Sequence, residues 1–121
     1  MGVTSVLDTN VVLYALRDEL ADPLPNTDIL ISVITEIELL GYPSLTPAQE
    51  QKIRTLLQSL TVIPLDGRVK DEAITIRRTT RLRLPDAIIL ATAVVTGSTL
   101  VTNDQGLLAQ SSGPTRTVQT K

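Results

Sequence analysis

Five carboxylates stand at positions where an enzyme could use them: Asp8, Glu36, Glu38, Asp86 and Asp104. Asp8 closes a short apolar run, Asp104 follows another by two residues, and Asp86 opens the segment that leads into that second run. The two glutamates lie in Val33–Leu40, just beyond a third apolar run. Brought face to face, such groups repel one another and hold their protons to higher pH unless a cation sits among them. The chain has no histidine and no cysteine. That excludes a thiol nucleophile, a Ser-His-Asp triad, a histidine base and a Cys/His zinc site. The cation that suits a site of oxygen donors alone is hard, Mg²⁺ or Mn²⁺. Such sites lower the pKa of a bound water and clamp phosphate oxygens, which is the chemistry of phosphodiester hydrolysis. Taken singly, each acid has a plainer reading: Asp8 as a helix cap, Asp86 at the positive end of a helix, Asp104 in a turn, and the glutamates on a solvated face.

A basic stretch runs up to one of these acids. Arg68, Lys70, Arg77, Arg78, Arg81 and Arg83 supply six of the 11 lysines and arginines and lead into Leu84-Pro85-Asp86. On a helix Arg77 and Arg81 share a face. They could follow a nucleic-acid backbone while the acids do the chemistry, or simply face water. The net charge of −2 gives no overall attraction to nucleic acid, so any such binding depends on this local patch.

The elements that must carry these groups read as alternating strands and helices. Val3–Leu7 is a strand, and Asn10–Arg17 a helix capped by Asp8 or Thr9. Ile29–Ser32 is a second strand, followed by a short helix over Val33–Leu40 that stops at Gly41. Thr46-Pro47-Ala48-Gln49 has the cap, the proline and the third-position glutamine of a helix start. Thr61–Leu65 is a third strand, Arg68–Arg78 a basic helix, and Pro85 opens an apolar helix that ends at Gly97. Thr99–Thr102 is a fourth strand, and Thr115–Thr120 a weak edge strand. The apolar runs do not alternate with polar residues, as suits strands buried on both faces. The expected fold is therefore a three-layer α/β/α sandwich with a mostly parallel central sheet, in one domain over residues 1–121. In such sheets ligands bind beyond the carboxyl ends of the strands, where these acids fall.

Composition sets further bounds. Tyr14 and Tyr42 are the only aromatics, so the core is aliphatic and no aromatic platform for stacked bases is expected. The longest apolar stretches, such as Ala87–Val95, are too short to span a bilayer. No basic-then-apolar leader opens the chain. A cytoplasmic protein without membrane contact is the expectation.

Four segments, in order, resemble the motifs of PIN-domain nucleases: Val6-Leu7-Asp8-Thr9-Asn10, Ile31 through Gly41, Leu84 through Ala93, and Leu100-Val101-Thr102-Asn103-Asp104. The single-domain form is most similar to VapC-type toxins of toxin–antitoxin pairs. The resemblance implies a PIN-like fold and a Mg²⁺- or Mn²⁺-dependent endoribonuclease, in which a metal-activated water attacks the RNA phosphorus. Carried over by position, Asp8, Glu38, Asp86 and Asp104 would hold the metal and do the catalysis. Thr9, Asn10, Thr102 and Asn103 would give polar support; from the charge of the basic stretch, and not from the resemblance, Arg77, Arg78, Arg81 and Arg83 are the residues expected to meet RNA. The resemblance also implies a homodimer neutralised by a cognate antitoxin.

Glu36 and Glu38 point roughly 200° apart on a helix, so both cannot face one metal. Amphipathicity does not choose between them. The family pattern, a glutamate followed by leucine with glycine nearby, chooses Glu38. Two departures from the pattern concern substrate contacts: Asn103 stands where many relatives have a basic residue, and Gly106-Leu107-Leu108 where many have an aromatic. Two other readings fit a domain of this class. One is a catalytically idle PIN-like module that binds RNA or a partner. The other is a phospho-acceptor switch, which lacks here a second acid beside Asp8 and a late lysine between Lys70 and Lys121.

Overall fold

A computed structural model describes residues 3–121. The elements run β1 (Thr4–Leu7), α1 (Thr9–Leu16), β2 (Asp28–Ser32), α2 (Val33–Leu40), α3 (Pro47–Gln58), β3 (Thr61–Ile63), α4 (Gly67–Thr79), α5 (Leu84–Thr96), β4 (Thr99–Val101), α6 (Gln105–Gln110) and β5 (Thr115–Arg116). The strands form one sheet in the order β3-β2-β1-β4-β5, and every neighbouring pair is parallel. Parallel neighbours need crossovers, and the helices supply them.

Adjacent strand residues point to opposite faces, so the three inner strands feed two cores. Val6, Leu30 and Leu100 join Val69, Ala73, Ile76 and the buried side of α5 on one face. Leu7, Ile31 and Val101 join Val11, Val12, Leu39 and Ile53 from α1, α2 and α3 on the other. The result is the expected three-layer sandwich. Helix α5 is buried along its middle, from Ala87 to Ala93. Ile89 is 1% exposed, and truncating it to alanine would cost about 2–5 kcal/mol.

Local signals set most element ends. Thr46 and Gln49 form a reciprocal capping box at the start of α3, with bonds of 3.1 and 3.0 Å. Gly97 ends α5 at φ +63°, a left-handed conformation that disfavours a side chain. Gly41 ends α2 for another reason: a Cβ there would lie 2.6 Å from the Ile37 carbonyl oxygen. Strand β3 stops at Ile63 rather than Leu65, because Pro64 has no N–H to continue the ladder. Helix α6 has no clear signal in the sequence; its start depends on a capping bond from Asp104 in the turn before it. Of the expected edge strand, only Thr115–Arg116 pairs with β4, and Thr120 instead bridges Leu20.

Candidate active site

The site begins where β1 and β4 end side by side. Leu7 is in register with Val101, and the Asp8 amide donates to the Val101 carbonyl at 3.0 Å. The next residue on each strand, Asp8 and Thr102, therefore leaves the sheet next to the other. The Thr102 hydroxyl donates to the Asp8 Oδ2 at 2.8 Å and accepts from the Asp104 amide at 3.0 Å. Asp8 occupies the cap position of α1 with extended backbone, yet its side chain makes no capping bond. The plainer reading of Asp8 as a helix cap does not describe its carboxylate.

Helix α2 starts directly from β2, with the Ser32 hydroxyl accepting from the Ile34 amide at 3.1 Å. Thr35 and Glu38 are three residues apart and share a face of α2, turned toward the start of α1. Thr9 donates its hydroxyl proton to Glu38 Oε1 at 2.9 Å. Thr9 and Thr35 are hydroxyl-bonded at 2.9 Å. A hydroxyl has one proton, so Thr35 is the donor in that pair, and the chain runs Thr35 to Thr9 to Glu38. Thr35 is fully buried. The sequence reading missed it, although a lone hydroxyl three residues before the chosen glutamate marks the same helix face. Glu36 takes no part in this chain of bonds.

Asp86 is the third residue of α5, and Asp104 caps α6 by accepting from the Leu107 amide at 2.9 Å. The carboxylates feel one another. Burial is the main cause that pushes the Asp8 carboxyl above its ordinary value, and the charges of Asp104 and Glu38 add to it, against the Thr102 hydroxyl and the Thr9 amide. Burial also raises Asp86, followed by the charges of Asp8, Asp104 and Glu38, while Arg83 acts the other way. The three ion pairs among the described residues involve Glu19, Glu50 and Asp18, and none of these four acids.

Other residues lie elsewhere than the sequence suggested. Asn103 makes no direct bond to the acids: its Nδ2 donates to the Val118 carbonyl at 3.0 Å, and its Oδ1 accepts from the Val118 amide at 2.9 Å. Asn10 is exposed and lines a groove rather than bonding an acid. Arg77 and Arg81 do not share a helix face, because α4 ends at Thr79. The Arg77 guanidinium instead donates to the Leu82 carbonyl at 2.7 Å and closes the turn between α4 and α5. Arg78, Arg81 and Arg83 are exposed, and of these Arg83 is the one whose charge reaches Asp86.

The donor set, four carboxylates supported by threonine hydroxyls, suits a hard cation by chemistry. Among the described residues no three acids are gathered closely enough to enclose an ion without side-chain movement. Beside the acids, Thr9, Asn10 and Glu38 also line a groove of about 640 Å³ between α1, α2 and α3. Its walls are largely aliphatic, with Leu13, Leu39 and Ile53, and Arg17, Tyr42 and Lys52 stand among them.

The PIN domain family model matches residues 5–111. No curated protein sequence matches the chain. Among solved structures, a toxin–antitoxin complex from Klebsiella pneumoniae is similar at TM-score 0.71 and 28% identity, covering 87% of this chain and 90% of that one. VapBC2 from Rickettsia felis, bound to a DNA fragment from its promoter, is similar at TM-score 0.79 and 21% identity, over 97% and 100% of the two chains. FitAcB from Neisseria gonorrhoeae is similar at TM-score 0.70 and 24% identity, over 93% and 96%. At these last two identities the likeness is one of fold.

Proposed function

The chain belongs to the PIN domain family, and from that premise we propose that it is a metal-dependent endoribonuclease acting as the toxin of a toxin–antitoxin pair. One observation carries the reading. Asp8, Glu38, Asp86 and Asp104 stand within one another's field, two of them are raised in pKa, and none is paired with a side-chain cation among the described residues. A fold keeps mutually repelling acids together for a use, and a hard cation is the use that suits them.

Mg²⁺ or Mn²⁺ held by these four acids would offset their repulsion and make a water acidic enough to attack a phosphodiester. The protein's own part is to hold the ligands. Thr102 orients Asp8, Thr9 orients Glu38, and the capping bond of α6 fixes one oxygen of Asp104. Arg83, beside Asp86, and the exposed Arg78 and Arg81 would receive phosphates on either side of the cut. Arg77 gives one N–H to the Leu82 carbonyl and, being exposed, keeps its charge and its other donors for the same role.

The groove beside Glu38 supports the partner half of the proposal. Its aliphatic walls open next to the acids, so an antitoxin segment seated there would also cover the site. Exposed Ile74 on α4 and Val94 on α5 are apolar groups that a homodimer contact would use. Among the described residues no helix is long and apolar enough to cross a membrane, and the cytoplasm is the compartment proposed, where RNA and the partner are found.

The test is cleavage of a structured RNA by the purified protein with Mn²⁺, with Mg²⁺ and with EDTA, alongside Asp8→Asn. The proposal expects cutting that requires the metal and vanishes in the variant. Cutting that survives in EDTA, or in Asp8→Asn, would overturn it.

A further inference from the structure

The family match ends at residue 111, yet the chain beyond it is bound into the site's scaffold. Strand β5 adds to β4 in parallel, with Leu100 opposite Thr115 and Val101 opposite Arg116. The Leu100 amide donates to the Pro114 carbonyl and the Thr102 amide to the Arg116 carbonyl, each at 2.9 Å. Beyond the end of β4 the ladder would stop, but the Asn103 side chain continues it. Its amide has one donor side and one acceptor side, like a peptide group, and it engages both the carbonyl and the amide of Val118. Val118 is half-buried against the core formed with α1 and α3. The tail then ties to the loop after α1: the Ala21 amide donates to the Gln119 carbonyl at 2.9 Å, and the Lys121 amide to the Glu19 carbonyl at 2.8 Å.

These bonds hold the segment that carries the acids. Thr102 is the residue whose hydroxyl touches Asp8 and receives the Asp104 amide, and its own amide is held by the tail. Asn103 lies between Thr102 and Asp104. On one side β4 is fixed by β1, and without the tail its other side would be an open edge. We infer that residues 114–121 are a strap that positions Asp8 and Asp104 through Thr102 and Asn103, and that Asn103 is a positioning residue of the proposed nuclease. The inference rests on the proposed function only for the reaction that the strap serves. The strap itself is a matter of backbone order.

Three readouts on the full-length chain separate the two. The variants are Asn103→Ala, which removes the clasp without altering an acid, Val118→Pro, which removes the N–H donor, and the double variant. Amide hydrogen exchange at Thr102 and Asp104 should quicken in each while exchange at Val6 stays unchanged. Mn²⁺ affinity measured by calorimetry without RNA, and kcat for RNA cleavage, should each fall roughly tenfold, within the range for groups that orient metal ligands. KM should stay the same. The two single changes should not add in the double variant, since both remove one contact.

Unchanged exchange would show that the clasp does not hold the segment, and would overturn the inference. Faster exchange with unchanged Mn²⁺ affinity and unchanged kcat would reduce the strap to a structural edge strand, and would overturn it too. If the wild type binds Mn²⁺ but does not cut RNA, the proposed function falls and the Mn²⁺ affinities alone decide the strap. If the wild type binds no Mn²⁺ and cuts no RNA, both fall.

Discussion

The two ends of the sheet are built from the same kind of side chain and do different work. At the amino end of β1 and β4, Thr4, Ser98 and Thr96 bond one another through their hydroxyls, and Ser5 bonds Thr27 at 2.9 Å. No carboxylate takes part in these bonds. At the carboxyl end, Thr35 and Thr9 form a similar chain of hydroxyls, but it ends on the Glu38 carboxylate, and the Thr102 hydroxyl bonds the Asp8 carboxylate. Among the described residues every buried side-chain nitrogen and oxygen has a partner, so polar satisfaction does not distinguish the ends. What distinguishes them is the gathering of like charges at one end. At the amino end the hydroxyls bond one another and the carboxylate nearby, Asp28 at the start of β2, is exposed to water, while the carboxyl end gathers like charges that the fold alone does not balance. Hydroxyl networks are thus a general way to finish a strand end, and the acids are what mark one end for chemistry.

Several changes would break or sharpen that contrast, and the acids come first. Asp8→Asn, Asp86→Asn and Asp104→Asn should each lower RNA cleavage by roughly 10²-fold or more, with the circular dichroism of the fold retained. Full activity in any one would remove that residue from the site. Glu38→Gln should cost about 10–100-fold, and Glu36→Gln should leave the rate near that of the wild type; the opposite order would move the site to the other face of α2.

The hydroxyls give a smaller and more selective effect. Thr35→Val should remove roughly 1 kcal/mol of stability and lower kcat, whereas Thr35→Ser should restore both. Thr96→Val, at the opposite end, should cost a similar amount of stability and leave kcat alone. Equal kinetic effects from the two ends would erase the distinction between them.

The smallest effect is on stability against pH. The folded pKa of Asp86 lies above its ordinary value of 3.8. Below that value the group is protonated in both the folded and the unfolded chain, and it contributes no difference. As pH rises the unfolded chain releases its proton first, so stability falls through the window up to the raised folded pKa. The penalty then persists at neutral pH. Asp86→Asn should therefore raise the melting temperature at pH 7 and give no gain near pH 3. A gain that is the same at both values would assign the effect to packing rather than to repulsion.

Most of this architecture was legible in local sequence. The apolar runs at Ile29–Ser32 and Thr99–Thr102, the capping box at Thr46 and the stop at Gly97 are each determined by a few neighbouring residues, and the structure agrees with them. The acids were also visible, because strand ends in a parallel sheet share one side. What was not legible depends on partners distant in sequence. Nothing near Asn103 shows that its amide will pair with a backbone 15 residues further on. Nor does local sequence show that Arg77 will donate to the Leu82 carbonyl, which comes within reach only once α4 has ended at Thr79. Helix α6 was missed because it is six residues long and starts from Asp104, which alone reads as a turn. The choice of Glu38 over Glu36 rested on family pattern; in the structure the Thr9 hydroxyl gives it a physical basis.

The bond between Thr102 and Asp8 joins residues 94 positions apart, which has a consequence for the order of folding. Contacts so distant in sequence close late, after the entropy of the intervening loop has been lost. A nascent chain that ends before Thr99 holds the residues of β1, α1 and β2, but Asp8 has no β4 beside it and Asp104 does not yet exist. The complete set of acids comes together only when nearly the whole polypeptide is available, so a truncated translation product carries the family's first three motifs and no assembled centre.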